Sequence, residues 1–197
     1  ATWDGFRVVH KIVNYFDIGK LSKSKYLASE LGNVFIEIKR YLVEGFRVVF
    51  SGTPCQVAGL KSFLKKDYEN LLLVDLICHG VGSPSVFQDC IKQTEKDLGC
   101  CIDSYEFRHK DKVFVQDHIQ KVTTKGKKIL LENDRYMQLF TEQHCLRKSC
   151  GKNCIYRTKN RQGDITIGDF KGLTMVFPEL LGSKKNYSTI VINTEKG

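Results

Sequence analysis

The stretch VVFSGTPCQVAGLKSFLKK, residues 48–66, decides how the rest of the chain is read. Val48, Val49 and Phe50 form an apolar, β-prone run of the kind that ends a buried strand. Ser51, Gly52, Thr53 and Pro54 make a turn, and from Gln56 to Lys66 the apolar residues recur at helical spacing. Thr53 is placed as the N-cap and Pro54 takes the first helical position, where a missing N–H costs nothing. Gln56 stands three residues after Thr53, which closes a capping box. Cys55 therefore falls in the first turn, where unpaired backbone N–H groups and the positive end of the helix dipole favour a thiolate. A cysteine there is a metal ligand, a reactive thiol, or a small residue filling a strand-to-helix corner.

Its companions favour chemistry over filling. LLLVDLI, residues 71–77, is a second apolar run of strand length, and it delivers Cys78, His79 and Gly80 at its end. Two such strands joined by a helix in a right-handed crossover lie parallel and present both sulfurs at one sheet edge, where open α/β sheets bind ligands. Cys150 and Cys154 follow in the turn-rich segment LRKSCGKNCIYR, which can wrap the same edge. Cys55, Cys78, Cys150 and Cys154 thus make a four-sulfur set suited to an iron–sulfur cluster or structural zinc. Cys145, five residues before Cys150, is the spare ligand. Cys90 reads as core, and the adjacent Cys100 and Cys101 point to opposite faces of any strand and read as structural.

A chain of 197 residues with 42% hydrophobic content can bury one substantial core, so a single domain over residues 1–197 is expected. No apolar run is long enough to cross a bilayer, and the opening ATWDGFRVVH lacks the regions of a signal peptide. Eight cysteines in such a chain fit a reducing cytoplasm with metal-bound thiols better than a disulfide framework. The chain reads as a piece excised from a longer protein, since it opens without Met and stops soon after an apolar strand. Thirty-one Lys and Arg against 22 Asp and Glu give a net charge of +9, much of it at 110–128 and 147–161. That field forms a solvated face, or it steers an acidic protein partner or an anionic cofactor. No nucleic-acid motif is present and the basic residues are not interleaved with aromatics, which argues against nucleic acid.

In chain order, Phe6–Val13 reads as a strand and Tyr26–Val43 as a helix closed by Gly45. Ser83 and Pro84 open a helix to Leu98 capped by Gly99. SYEFRHK (104–110), VFVQDHIQKVTT (113–124) and KKILLEN (127–133) read as an antiparallel meander turning at Lys125 to Lys127. Tyr136–Gln143 is a short helix, and GDITIGDF (163–170) and STIVINT (188–194) are closing strands. The fold class is α/β: a mixed sheet with crossover helices in its first half and an antiparallel meander in its second. By strand parity Asp164 and Asp169 face opposite sides, and Asp169, at the strand end, is the pocket candidate. His79 is a candidate to tune a metal centre or donate to a cofactor.

Lys25 and Tyr26 in SKSKYLAS, the SGTPCQVAGLKSFL corner, VDLICHGVGSP, the pair in LRKSCGKNC and RQGDITIGDF together resemble the C-terminal domain of the coenzyme F420 hydrogenase/dehydrogenase beta subunit family. The resemblance runs from about Lys20 to Asn193. It implies an iron–sulfur flavoprotein oxidoreductase carrying FAD and a [4Fe-4S] cluster. Such a protein passes electrons between a ferredoxin-like partner and a hydride-accepting small molecule such as coenzyme F420. Under it, Cys55, Cys78, Cys150 and Cys154 are cluster ligands, and Lys25, Ser51, Gly52, Thr53, His79 and Asp169 are cofactor-binding positions. The chain departs from the family pattern in three places. Three residues, not two, separate Cys150 from Cys154; Lys171 in GDFKG replaces an aromatic; and the ferredoxin-like segment is missing. The alternative is a zinc-binding interaction module that is not an enzyme and docks through its basic face.

Overall fold

A computed structural model describes residues 1–109, 119–170, 172–180 and 187–197. Along the chain come β1 (Thr2–Asp4), β2 (Arg7–Val9), α1 (Val34–Val43), β3 (Val48–Gly52), α2 (Pro54–Leu64), β4 (Leu71–Leu76) and α3 (Pro84–Leu98). Then follow β5 (Ser104–His109), β6 (Ile119–Thr124), β7 (Lys127–Leu131), α4 (Arg135–Thr141), β8 (Ile165–Asp169) and β9 (Ser188–Ile192). The class is the mixed α/β predicted, with a crossover-built parallel sheet and an antiparallel meander that stands as a sheet of its own. The residues gather in two compact units, Ala1–Gly32 with Gly80–Asn153 and Asn33–His79 with Cys154–Gly197.

The second of these units is built on the sheet β3-β4-β8-β9. β3, β4 and β8 run parallel, and β9 closes one edge antiparallel to β8. Alternation along β4 buries Leu71, Leu73 and Asp75, while Val34, Ile38 and Leu42 of α1 and Val57, Leu60 and Leu64 of α2 are buried as well. The other side of the sheet stays largely open, with Val49, Leu76, Ile190 and Ile192 exposed. The helix expected from Tyr26 begins only at Val34. Leu27 and Ala28 are buried instead, and the backbone there pairs in extended fashion: Ala28 N–H donates to Gly82 O at 3.0 Å and Glu30 N–H to Val8 O at 2.8 Å. Gly32, at φ +51, ends that segment. The helix keeps the apolar positions Val34, Phe35, Ile38, Tyr41 and Leu42, and tertiary pairing takes the residues before them.

In the other unit the core is aromatic. Phe87, Phe107, Tyr105 and Tyr136 cluster with Val8, Leu27, Ile91, Ile102 and Val122. Trp3 stacks on Phe87 and Phe107 at ring separations of 5.9 and 5.7 Å, and the buried Tyr136 hydroxyl donates to Tyr26 O at 2.7 Å. The strand expected at Phe6–Val13 is the shorter β2, which pairs with β1 across a turn at Gly5. α3 starts at Pro84 and stops at Gly99 in the left-handed region, as predicted. The β6–β7 hairpin turns on Lys125 and Gly126, both with positive φ, the pattern of a two-residue turn that matches strand twist. Of the strand expected over 113–124, residues 119–124 are described as β6, and 110–118 lie outside the described residues.

Candidate functional site

The corner at Gly52 to Cys55 forms as the sequence dictates. Thr53 is the N-cap of α2, its N–H donates to Gln56 Oε1 at 3.0 Å, and its hydroxyl donates to the same oxygen at 3.1 Å. That hydroxyl also lies 3.1 Å from Cys55 Sγ, so the cap residue and the cysteine share one polar contact. A Cβ on Gly52 would meet Gln56 Oε1 at 3.1 Å and the Phe50 ring at 3.2 Å, so those side chains would have to shift by a few tenths of an ångström. Cys55 is exposed.

The strand register then places the second cysteine. β3 and β4 pair from Val48↔Leu71 to Gly52↔Asp75, and Cys55 and Cys78 each lie three residues beyond that last pair. β4 and β8 pair up to Leu76↔Ile167, and Ile77 N–H extends the ladder to Ile167 O at 2.9 Å. Thr53, Cys55, Cys78, His79 and Asp169 therefore all leave the sheet at the C-terminal rim of its parallel strands, the edge predicted from sequence. Ser51, His79 and Asp169 are exposed there, and Gly52 is buried.

The remaining candidates are distributed differently. Cys154 opens the segment that returns to this unit, whereas Cys150 belongs to the other unit. Within that other unit, Cys150 packs beside Gly80, where an added Cβ would lie 2.8 Å from Leu146 Cδ1 and 3.2 Å from Cys150 Cβ. Gly80 has φ +136, so glycine is required there on two grounds. Lys25, also in that unit, donates from Nζ to Ser22 O at 2.7 Å and Lys23 O at 2.9 Å, closing the turn that follows residues 15–21. Burial and the neighbouring Lys23 charge lower its pKa. Cys145 is a core residue and burial pushes its thiol up; Cys90 is half-buried in α3 and shifted the same way by burial. Thr124 donates to Cys101 O at 2.7 Å and lies 3.4 Å from Cys100 Sγ, in keeping with a structural role for that pair. Lys171 lies outside the described residues.

All eight cysteines carry thiols and none is in a disulfide. Four thiolates are the donor set an iron–sulfur cluster takes, so the chemistry of Cys55, Cys78, Cys150 and Cys154 fits one. Among the described residues, no group of three or more His, Cys, Asp and Glu side chains is gathered to hold a metal ion.

Sequence reasoning missed the polar centre just below the rim. Asp75 is fully buried in β4 and accepts from Thr166 Oγ1 at 2.5 Å, Arg161 Nη2 at 3.0 Å, Gln162 N–H at 2.9 Å and Gly163 N–H at 3.2 Å. Burial resists its charge, yet the bonds from Thr166, Gln162, Arg161 and Gly163 prevail and hold its pKa below the ordinary carboxylate value. The signal was an aspartate inside the apolar run LLLVDLI, since a buried charge must be paired. Asp164 is buried too, accepting from Leu73 N–H at 2.8 Å and Thr194 Oγ1 at 2.7 Å. A cavity of about 410 Å³, lined by residues that include Lys61, Tyr68, Leu71, Asp164 and Lys196, lies at the opposite rim of the sheet.

The family model for the C terminus of the coenzyme F420 hydrogenase/dehydrogenase beta subunit matches residues 45–197. Among solved structures, the chain is similar to one chain of the xenon-derivatised F420-reducing [NiFe] hydrogenase complex from Methanosarcina barkeri, at 15% identity and a TM-score of 0.47. The similarity covers 88% of this chain and 61% of that one, so this chain spans less than two thirds of its neighbour's length. No curated protein matches.

Proposed function

The chain belongs to the coenzyme F420 hydrogenase/dehydrogenase beta subunit family, as its C-terminal domain, and from that membership we propose an iron–sulfur flavoprotein oxidoreductase domain. It passes electrons between a ferredoxin-like partner and a hydride-accepting small molecule. Cys55, Cys78, Cys150 and Cys154 hold a [4Fe-4S] cluster in this reading, and Lys25, Ser51, Gly52, Thr53, His79 and Asp169 contact FAD. When bound, the cluster supplies one-electron transfer and the flavin the conversion to two-electron chemistry.

The observation that carries the reading is the common register of Cys55 and Cys78 beyond parallel strands, at the rim where α/β sheets bind ligands. The chain's own residues have clear tasks there. Cys55 stands in the first turn of α2, with its Sγ 3.1 Å from the Thr53 hydroxyl. Gly52 leaves room for the Gln56 and Phe50 side chains, and the net charge of +9 draws an acidic redox protein or an anionic cofactor. Among the described residues no helix is long and apolar enough to cross a membrane.

Anaerobic reconstitution with iron and sulfide, followed by metal analysis, absorbance and EPR of the reduced protein, tests the proposal. About four irons per chain with a cluster spectrum are expected, and Cys78→Ser should abolish them. A protein that takes up no iron and holds one zinc overturns the proposal in favour of a zinc-binding interaction module.

A further inference from the structure

We infer that Arg161 is a positioning residue for the candidate centre, fastening the segment that carries Cys154 onto the strand that carries Cys78. The inference rests on the cluster reading above and gives a role to Arg161, the first residue of the RQGDITIGDF motif, to which the sequence analysis assigned none.

Arg161 Nη2 donates to Leu76 O at 2.7 Å and to Asp75 Oδ1 at 3.0 Å, and its Nε donates to Thr166 Oγ1 at 3.1 Å. Leu76 is the last residue of β4, two before Cys78, so the guanidinium grips the backbone where that strand runs out to its cysteine. The two following N–H groups, of Gln162 and Gly163, both donate to Asp75 Oδ2. One fully buried carboxylate thus holds three consecutive residues of the incoming segment. Asn193 secures the same place from β9's side, donating to Gly163 O at 3.0 Å and Thr166 Oγ1 at 2.9 Å. Between Cys154 and Arg161 the chain forms no strand or helix; Arg157 N–H turns back on Cys154 O at 3.2 Å. The downstream end of that loop is therefore fixed by an anchor tied to the strand end bearing Cys78.

The arrangement has the chemistry of a support for metal ligands. Arg161 is largely buried and its planar guanidinium serves a carboxylate, a carbonyl and a hydroxyl at once, which a lysine ammonium on a flexible stem does not reproduce. Ligand sets held by loops depend on such outer contacts, and losing one lowers metal affinity even when the ligands remain.

Arg161→Gln and Arg161→Lys are compared with wild type and with Asn70→Ala, which removes the hydrogen bonds from Asn70 to Leu42 O and Phe46 O in the same unit. Lysine keeps the cation, so the comparison survives if the glutamine variant does not fold. Iron per chain and the EPR signal are measured after anaerobic reconstitution, and the rate of Cys154 alkylation is read by peptide mass spectrometry on the metal-free chain. Both Arg161 variants should speed Cys154 alkylation about five-fold and lose iron or shift the EPR signal, while Asn70→Ala keeps wild-type values. Unchanged alkylation and iron in the Arg161 variants, or equal losses in Asn70→Ala, overturn the inference and leave the cluster reading standing. A wild-type chain that takes up no iron sinks the cluster reading instead, and the fastening is then judged on Cys154 alkylation alone.

Discussion

Glu106 shows how single side chains set the pH response of this protein. Burial resists its charge, but Lys23 Nζ at 2.8 Å, Lys121 Nζ at 2.9 Å and His109 Nδ1 at 3.3 Å prevail and hold its carboxyl at about 2, against an ordinary 4.5. A depressed carboxylate pKa contributes stability that is complete above about pH 4.5 and drains away as pH falls toward about 2. Glu106→Gln should therefore flatten the acid arm of the stability curve, measured by urea unfolding of the metal-free chain from neutral pH downward. Because Lys121 is nearly buried, the same variant should lose about 1–3 kcal/mol at neutral pH. Asp75 is the more severe case. Asp75→Ala strands the Arg161 guanidinium and two backbone N–H groups, and a loss of about 3–5 kcal/mol in the denaturant midpoint analysis is expected.

At the scale of elements, α2 and its corner are specified locally, and their responses to substitution should be local too. Thr53→Ala removes the hydroxyl that contacts Gln56 and Cys55, and about 1 kcal/mol of stability should go with it. The strands respond according to what surrounds their glycines. A Cβ on Gly163 would meet Asp75 N at 2.7 Å and the carbonyl oxygens of Leu73 and Ile165 at 2.9 Å, all backbone atoms that cannot swing aside. A Cβ on Gly168 would meet Ile77 Cβ at 2.8 Å, an atom that no change of rotamer moves. Gly163→Ala and Gly168→Ala should accordingly each cost about 2–3 kcal/mol or more, because in both the backbone itself must shift, and thermal melts of the two variants will check it. The Tyr26–Val43 segment shows the limit of local reading. Its helical apolar spacing lies at Val34, Phe35, Ile38, Tyr41 and Leu42, while Leu27 bridges to Gly82 and Glu30 to Val9 in extended backbone.

For the whole molecule, the family match begins at residue 45, yet the aromatic core of one unit draws on Trp3, Phe6, Val8 and Leu27. A chain cut to 45–197 should leave Phe87 and Phe107 without those partners, bind an apolar dye and lose near-ultraviolet circular dichroism, whereas the full chain should not. The sequence by itself determined the strand-turn-helix corner, the parallel pairing of β3 with β4, the meander and the cysteines past the strand ends. Each of these follows from side-chain period, cap chemistry and turn residues a few positions apart. Only the tertiary structure decided that the chain divides into two units, each from two separated stretches, and that Arg161 meets Asp75. The Arg161–Asp75 pair joins residues 86 positions apart, where burial and hydrogen bonding across the fold, not local preference, select the partner.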